Sequence, residues 1–395
     1  MRISAPTRGT SPGSSSANSG PATLEMPDNA PAAAPATGLT LWAVVFAGGI
    51  GSRFWPLSTP ERPKPLLALV TGRSLLEDTV GRLQPMIPPE RVLIVTSRDI
   101  APALRSAIAE IPEANILIEP RPLGTAAALA WASHEIAHRA GPSTAVCVMH
   151  VDLAIGFPGA FRDSLRRAAA LATSESAIVS LGVRPARPEP QFGYVVTGDP
   201  LDPTETLARG GAHHVEAFVE KPTESEARRL ISEGALWHSG VVISTAQILL
   251  DKLARYTPEI EPGLESLIAG DLPAFVDAIR SVSIERGLLE RCERFVVLPC
   301  DVDWDDVGTW GSLRRARALD DEGNGAHGPA EFVDAAGNIV HAEAGTVVVY
   351  GVSGLLVVSL PGLTFVTTLE RAGDLKPLLD TLPGSLRINP GGAPS

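Results

Sequence analysis

Cysteine is scarce: Cys147, Cys292 and Cys300 are the only three in 395 residues. They are too few and too scattered for a disulfide framework or a thiolate zinc site. Their apolar, strand-like surroundings predict small buried thiols in a reducing cytosol. No apolar run approaches the ~18 residues that a membrane-spanning helix requires. An excess of positive charge is missing as well. The net charge is −12, which argues against broad attraction to nucleic acid or to an anionic membrane. An anionic substrate would therefore have to be held by local cations and backbone N–H groups. Large apolar side chains are almost absent from residues 1–39, which are rich in Ser, Pro, Ala, Gly and Thr. Such a segment cannot offset its ordering entropy and reads as a disordered tail, without the apolar centre of a secretory signal. A cytoplasmic protein is expected.

Hydrophobic residues, at 44%, suffice for a sizeable core. Leu-Trp-Ala-Val-Val-Phe (41–46) is a continuous apolar run that stops at Gly48-Gly49, as a strand buried on both faces should. Helical and strand-like segments then alternate: helix 74–84, strand 91–96, helix 99–110, strand 115–119, helix 125–139, strand 145–150. This pattern predicts an α/β fold with a doubly wound, mostly parallel sheet, whose ligand sits beyond the carboxyl ends of the strands. Further helices are expected at 161–172, 224–233, 246–256 and 271–280, with short strands at 176–183, 192–197, 214–219, 240–244 and 294–298. Residues 330–370 hold several short β runs separated by turn residues, followed by a helix at 374–382. The expected domains are a catalytic unit over 40–322 and a small β-rich unit over 329–385, with a disordered end from 386 to 395.

The most informative stretch is Gly48-Gly49-Ile50-Gly51-Ser52-Arg53-Phe54-Trp55-Pro56, followed by Pro63-Lys64. Glycines straight after a buried strand let the backbone turn sharply and aim N–H groups at an anion. Arg53 adds a planar charged fork suited to phosphate, and Lys64 a movable point charge. A dinucleotide fingerprint fails because position 54 is Phe, and no Gly-Lys-Ser/Thr triplet of a Walker loop occurs. Asp152 follows the strand 145–150, where a carboxylate facing a triphosphate is a natural Mg²⁺ ligand. His134-Glu135-Ile136-Ala137-His138 spells a zinc-protease pattern, but no convincing third ligand follows. Two surface histidines one turn apart are the better account.

These motifs resemble the sugar-phosphate nucleotidyltransferases, and within them the mannose-1-phosphate guanylyltransferases, over roughly residues 41–385. The signature stands here as Gly48, Gly49, Gly51, Arg53, Phe54, Trp55, Pro56, Leu57, Ser58, Pro63 and Lys64, and Trp-Pro-Leu-Ser favours the mannose branch. The resemblance implies that Ala47, Gly48, Gly49 and Gly51 wrap the nucleotide phosphates. It further implies that the catalytic Arg53 and Lys64 stabilise the α-phosphate and the departing pyrophosphate. Asp152 matches the metal aspartate of Pro-Ala-Asp-His, although His150 and Leu153 depart from that pattern. Asp306, in Trp304-Asp305-Asp306-Val307-Gly308-Thr309-Trp310, matches the second metal aspartate, while Asp305 is expected to cap a helix or face solvent.

On the sugar side the resemblance carries over Gly193 and Tyr194, Glu220 and Lys221 of Val-Glu-Lys-Pro, and His238, which stands where the family has Asn. On the base side Leu123-Gly124-Thr125-Ala126 departs from the usual Arg-Asn-Thr-Ala. Gly124 is expected against the base or ribose, and Thr125 as a helix cap. The implied activity is Mg²⁺-dependent transfer from GTP to mannose-1-phosphate, giving GDP-mannose and pyrophosphate. The departures leave glucose-1-phosphate with UTP, dTTP or ATP open, as well as a non-catalytic sensor. The β-rich tail resembles the family's β-helix-like region, where homodimer contacts are expected.

Overall fold

The computed structural model describes residues 40–204 and 210–388; the predicted tail at 1–39 and the end from 389 lie outside the described residues. The first strand, β1 (Leu41–Phe46), is buried along its whole length. Alternation divides it cleanly. Leu41, Ala43 and Val45 join the core on one face, and Trp42, Val44 and Phe46 join the core on the other. A strand sandwiched in this way has no polar face, so it reads as an unbroken apolar run. β2 (Val92–Ser97), β3 (Ile116–Glu119) and β4 (Ala145–His150) repeat the pattern and pair in parallel in the order β3-β2-β1-β4. Helix Leu75–Leu83 opens with a reciprocal capping box between Ser74 and Glu77.

Beyond β4 the sheet is not mostly parallel as expected. A short β5 (Leu153–Ile155) leaves the sheet, and β6 (Ile178–Val183), β7 (Gly193–Pro200), β8 (His213–Glu220), β9 (Leu236–Thr245) and β10 (Phe295–Pro299) extend it. The nine-stranded order is β3-β2-β1-β4-β9-β6-β10-β8-β7. Strand β9 lies antiparallel to both β4 and β6, β10 pairs in parallel with β6, and β8 and β7 then follow antiparallel. Strands β4 and β6 both run against β9, so they are parallel to one another and joined through the helix Pro158–Ser174, with the reversed β9 inserted between them. The antiparallel insertion has a consequence for function. It brings the start of β9 and the β7–β8 ends to the carboxyl ends of the parallel strands, with Gly193 opposite Glu220.

A two-stranded ribbon pairs β5 with β11 (Trp304–Asp306), setting Asp306 opposite Leu153. Next come β12 (Gly325–His327), β13 (Ala330–Val333), β14 (Ile339–Ala342), β15 (Val347–Tyr350), β16 (Leu355–Leu360) and β17 (Leu363–Thr368). Parallel ladders join β12, β14 and β16, join β13 to β15, and link Ala336 to Ser353, while β17 closes antiparallel on β16. A buried amide stack fastens the rungs. Asn324 Oδ1 accepts from the Asn338 amide nitrogen and side chain, and Asn338 Oδ1 accepts from Leu355 N–H. Ile339, Leu356 and Val358 belong to the same core as Ala43 and Val45. The terminal helix is shorter than predicted, Lys376–Thr381, and residues 386–388 belong to a further helix, Gly384–Ile388.

Candidate active site

At Gly51 the backbone has φ 80°, and a Cβ there would stand 2.3 Å from Lys64 Cβ. Only glycine allows the loop to close on this lysine. The closure is fixed by Lys64 N–H donating to the Ile50 carbonyl and by the Ser58 hydroxyl donating to the Gly51 carbonyl. Lys64 is buried, and its Nζ reaches Asp152 Oδ2 at 2.5 Å. Phe54 and Trp55 are buried too; Phe54 packs edge-on against Trp310, and Trp55 against Phe365 of β17. The aromatic half of the motif thus anchors the loop to the C-terminal ladders.

Asp152 and Asp306 are neighbours. Val307 N–H donates to the Asp152 carbonyl, and the β5–β11 ribbon pairs Asp306 with Leu153, the residue after Asp152. Burial would raise the Asp152 carboxyl, but the Lys64 ammonium and then His150 outweigh it and hold it below the ordinary value. Burial and then the facing charge of Asp152 push Asp306 up to about 7. Two carboxylates with one lysine between them are short of positive charge, which is the donor set that suits a hard divalent cation. Asp305 neither caps a helix nor faces open solvent. It takes a two-point hydrogen bond from Arg315 and accepts from Asp306 N–H, because β11 turns it away from the cluster.

Two cavities meet at this cluster. One, of about 320 Å³, is lined by Gly48, Gly49, Lys64, Glu119, Gly124, Thr125, His150 and Asp152. The other, of about 300 Å³, is lined by Thr125, His150, Asp152, Asp306, Gly193, Glu220, Lys221, His238 and Glu285. Arg53 lies apart from Lys64, in an adjoining cleft that it shares with Asp306, Thr309 and Lys376. Ala47 is not brought to either cavity; its backbone is tied to Val95 and Thr96. Nor is Tyr194, which is fully buried with its hydroxyl on Glu189, since alternation along β7 turns it from the side that Gly193 faces. Gly124, at φ 85°, is held by the Val282 backbone, 2.5 Å from where its Cβ would be. Thr125 does not cap its helix; its hydroxyl accepts from Ile284 N–H because that neighbouring loop packs over it.

In the second cavity Lys221 Nζ donates to Glu220 Oε1 at 2.6 Å. Burial raises the Glu220 carboxyl. Lys221 adopts φ 52°, a conformation that non-glycine residues rarely take and that tends to persist at functional sites. His238 is buried, which lowers it to about 4 and keeps it neutral. Sequence reasoning missed Glu119 and Glu285. Burial raises Glu119, whose carboxylate accepts only a long hydrogen bond from Leu123 N–H. Its place as the last residue of β3 was the available signal.

Residues 42–323 match the family model described as "Nucleotidyl transferase". The chain belongs to that family and is an enzyme of the nucleotidyltransferase type. Within the family, its similar relatives are mannose-1-phosphate guanylyltransferases. ManC of Salmonella typhimurium is 32% identical over 87% of this chain and 73% of its own length. The Escherichia coli mannose-1-phosphate guanylyltransferase of strain K12 is 31% identical over the same shares. A Thermus thermophilus structure described as a mannose-1-phosphate geranyltransferase superposes with a TM-score of 0.79, at 33% identity over 87% of this chain and 99% of that one. Among the described residues no helix is long and apolar enough to cross a membrane.

Proposed function

We propose that the chain transfers the guanylyl group of GTP to mannose-1-phosphate, releasing pyrophosphate and forming GDP-mannose. The observation that carries the reading is the Lys64–Asp152–Asp306 cluster on the wall where the two cavities meet. A nucleotide in the first cavity and a sugar phosphate in the second would bring the acceptor oxygen to the α-phosphorus. That oxygen forms the new P–O bond while the bond from the α-phosphorus to the bridging oxygen breaks, and the electron pair leaves with pyrophosphate. The nucleophile is already an anion, so no general base is required. Positioning and charge stabilisation supply the rate enhancement. Lys64 and the glycine-loop N–H groups hold the α-phosphate, Arg53 serves the departing pyrophosphate, and Lys221 holds the sugar phosphate. A divalent cation such as Mg²⁺, held by Asp152 and Asp306, would supply positive charge at the α-phosphate.

Glu119 supports guanine. A carboxylate accepts from two N–H donors at once, as the N1–H and N2–H₂ edge of guanine offers, whereas uracil presents carbonyl oxygens on both sides of its single N–H. His238 in place of an amide favours a second reading, with another hexose phosphate. A panel of GTP, UTP, dTTP and ATP against mannose-1-phosphate and glucose-1-phosphate, scored by pyrophosphate release, separates these readings. GTP with mannose-1-phosphate should lead by about 100-fold in kcat/KM; equal or faster turnover of another pair overturns the assignment. The ascending parallel rungs of β12–β16 support a β-helix-like brace for the phosphate loop.

A further inference from the structure

We infer that Glu285 is a hexose-binding residue that accepts hydrogen bonds from ring hydroxyls of the sugar phosphate. The inference rests on the proposed sugar cavity and adds to it a reader outside the Val-Glu-Lys-Pro motif.

Glu285 opens a single π-helical turn, Glu285–Leu289, whose Leu288 and Leu289 are buried in the core. Such turns are rare and frequent at functional sites. The segment before it is braced against the nucleotide side, since Ile284 N–H donates to Thr125 Oγ1 at 2.9 Å and Val282 packs under Gly124. Glu285 is therefore carried on rigid backbone that touches both cavities. Its carboxylate lies beside the His150 and His238 rings and the Ser283 hydroxyl. Among the described residues it makes no salt bridge.

The partners within reach do not neutralise it. Ser180 Oγ and His238 Nδ1 share a hydrogen bond at 2.8 Å, so that ring nitrogen is engaged within the sheet. The cavity wall thus offers a half-buried carboxylate beside the His238 ring. A half-enclosed carboxylate with lone pairs to spare is costly unless a bound donor satisfies them. A hexose ring, which brings several O–H donors on a compact frame, fits that need. Glu220 is already engaged by Lys221, so Glu285 is the freer carboxylate of the two.

The test compares wild type, Glu285→Gln and Glu285→Asp, with the best pair found for wild type as substrates. A wrong substrate assignment then shows in the wild-type panel, independently of Glu285. Glu285→Gln should raise KM for the sugar phosphate about 10- to 100-fold, as expected for a lost hydrogen bond to a charged acceptor. KM for the nucleotide should stay within about twofold. Glu285→Asp, which keeps the charge and withdraws it by one methylene, should fall between. Assayed with 2-, 3-, 4- and 6-deoxy sugar phosphates, the penalty should vanish for the analogue that lacks the hydroxyl read by Glu285. An unchanged sugar KM, equal losses for both substrates, or equal penalties across all deoxy analogues would overturn the inference. Should Glu285→Gln fail to fold, the same deoxy series on Glu285→Asp decides.

Discussion

Lys64 is held to Asp152 at 2.5 Å inside a chain of net charge −12, so the cation that meets the nucleotide is local and pre-positioned. Lys64→Met should lower kcat about 10²- to 10³-fold, the usual effect of removing one preorganised charge. Near-normal kcat would remove Lys64 from the chemistry. Asp306 makes a prediction of opposite sign for stability. Its pKa rises from 3.8 to about 7, so between those values the folded chain holds a proton that the unfolded chain has lost, and stability falls as pH rises. Asp152, shifted downward, is ionised in both states across that window and adds no slope. In chelator, Asp306→Asn should therefore melt above wild type at pH 8 and lose that advantage at pH 5, while its turnover is abolished at both. A lower melting point at pH 8 would show that the two carboxylates do not oppose each other. Lys64, Asp152 and Asp306 were legible because strand ends and spaced motifs mark them. Glu119 and Glu285 were not, since a lone acid at the end of a strand or the start of a helical turn has no spacing to distinguish it from a solvated one.

Among elements, the buried strands announced themselves through apolar runs, as β1 does from Leu41 to Phe46. Strand direction was silent. Nothing in the residues of β9 states that it runs against β4 and β6, yet that reversal delivers His238 to the sugar cavity. The role of Trp-Pro-Leu-Ser was also hidden, because Trp55 finds its partner, Phe365, 310 positions later in the chain. Phe365→Ala should loosen the phosphate loop and raise KM for the nucleotide several-fold, with little change in KM for the sugar phosphate. Equal KM values in mutant and wild type would show that the ladders do not brace the loop. The amide stack is tested separately. Asn338→Ala orphans the Leu355 N–H and takes one of two donors from Asn324 Oδ1, which keeps the backbone N–H of residue 338; an unsatisfied buried donor costs about 1–3 kcal/mol. Denaturant unfolding should show a loss of at least about 2 kcal/mol; a loss under about 0.5 kcal/mol would contradict the buried ladder.

At the scale of the whole molecule, the core beneath the parallel strands continues into the C-terminal ladders, joining Val45 and Trp310 to Leu356 and Val358. The two regions lean on one another, so near-ultraviolet and far-ultraviolet circular dichroism should report one coincident thermal transition. Two separated transitions would mean that the ladders fold on their own. The central claim is that two cavities deliver a nucleotide and a sugar phosphate to one Lys64–Asp152–Asp306 cluster. Transfer of label from α-³³P GTP into a sugar nucleotide, with mannose-1-phosphate and a divalent cation present, tests it most directly. Wild type should move the label into GDP-mannose with release of unlabelled pyrophosphate, and Asp152→Asn should move none. Transfer by Asp152→Asn at the wild-type rate, or no transfer by wild type with any nucleotide and sugar phosphate, would contradict it.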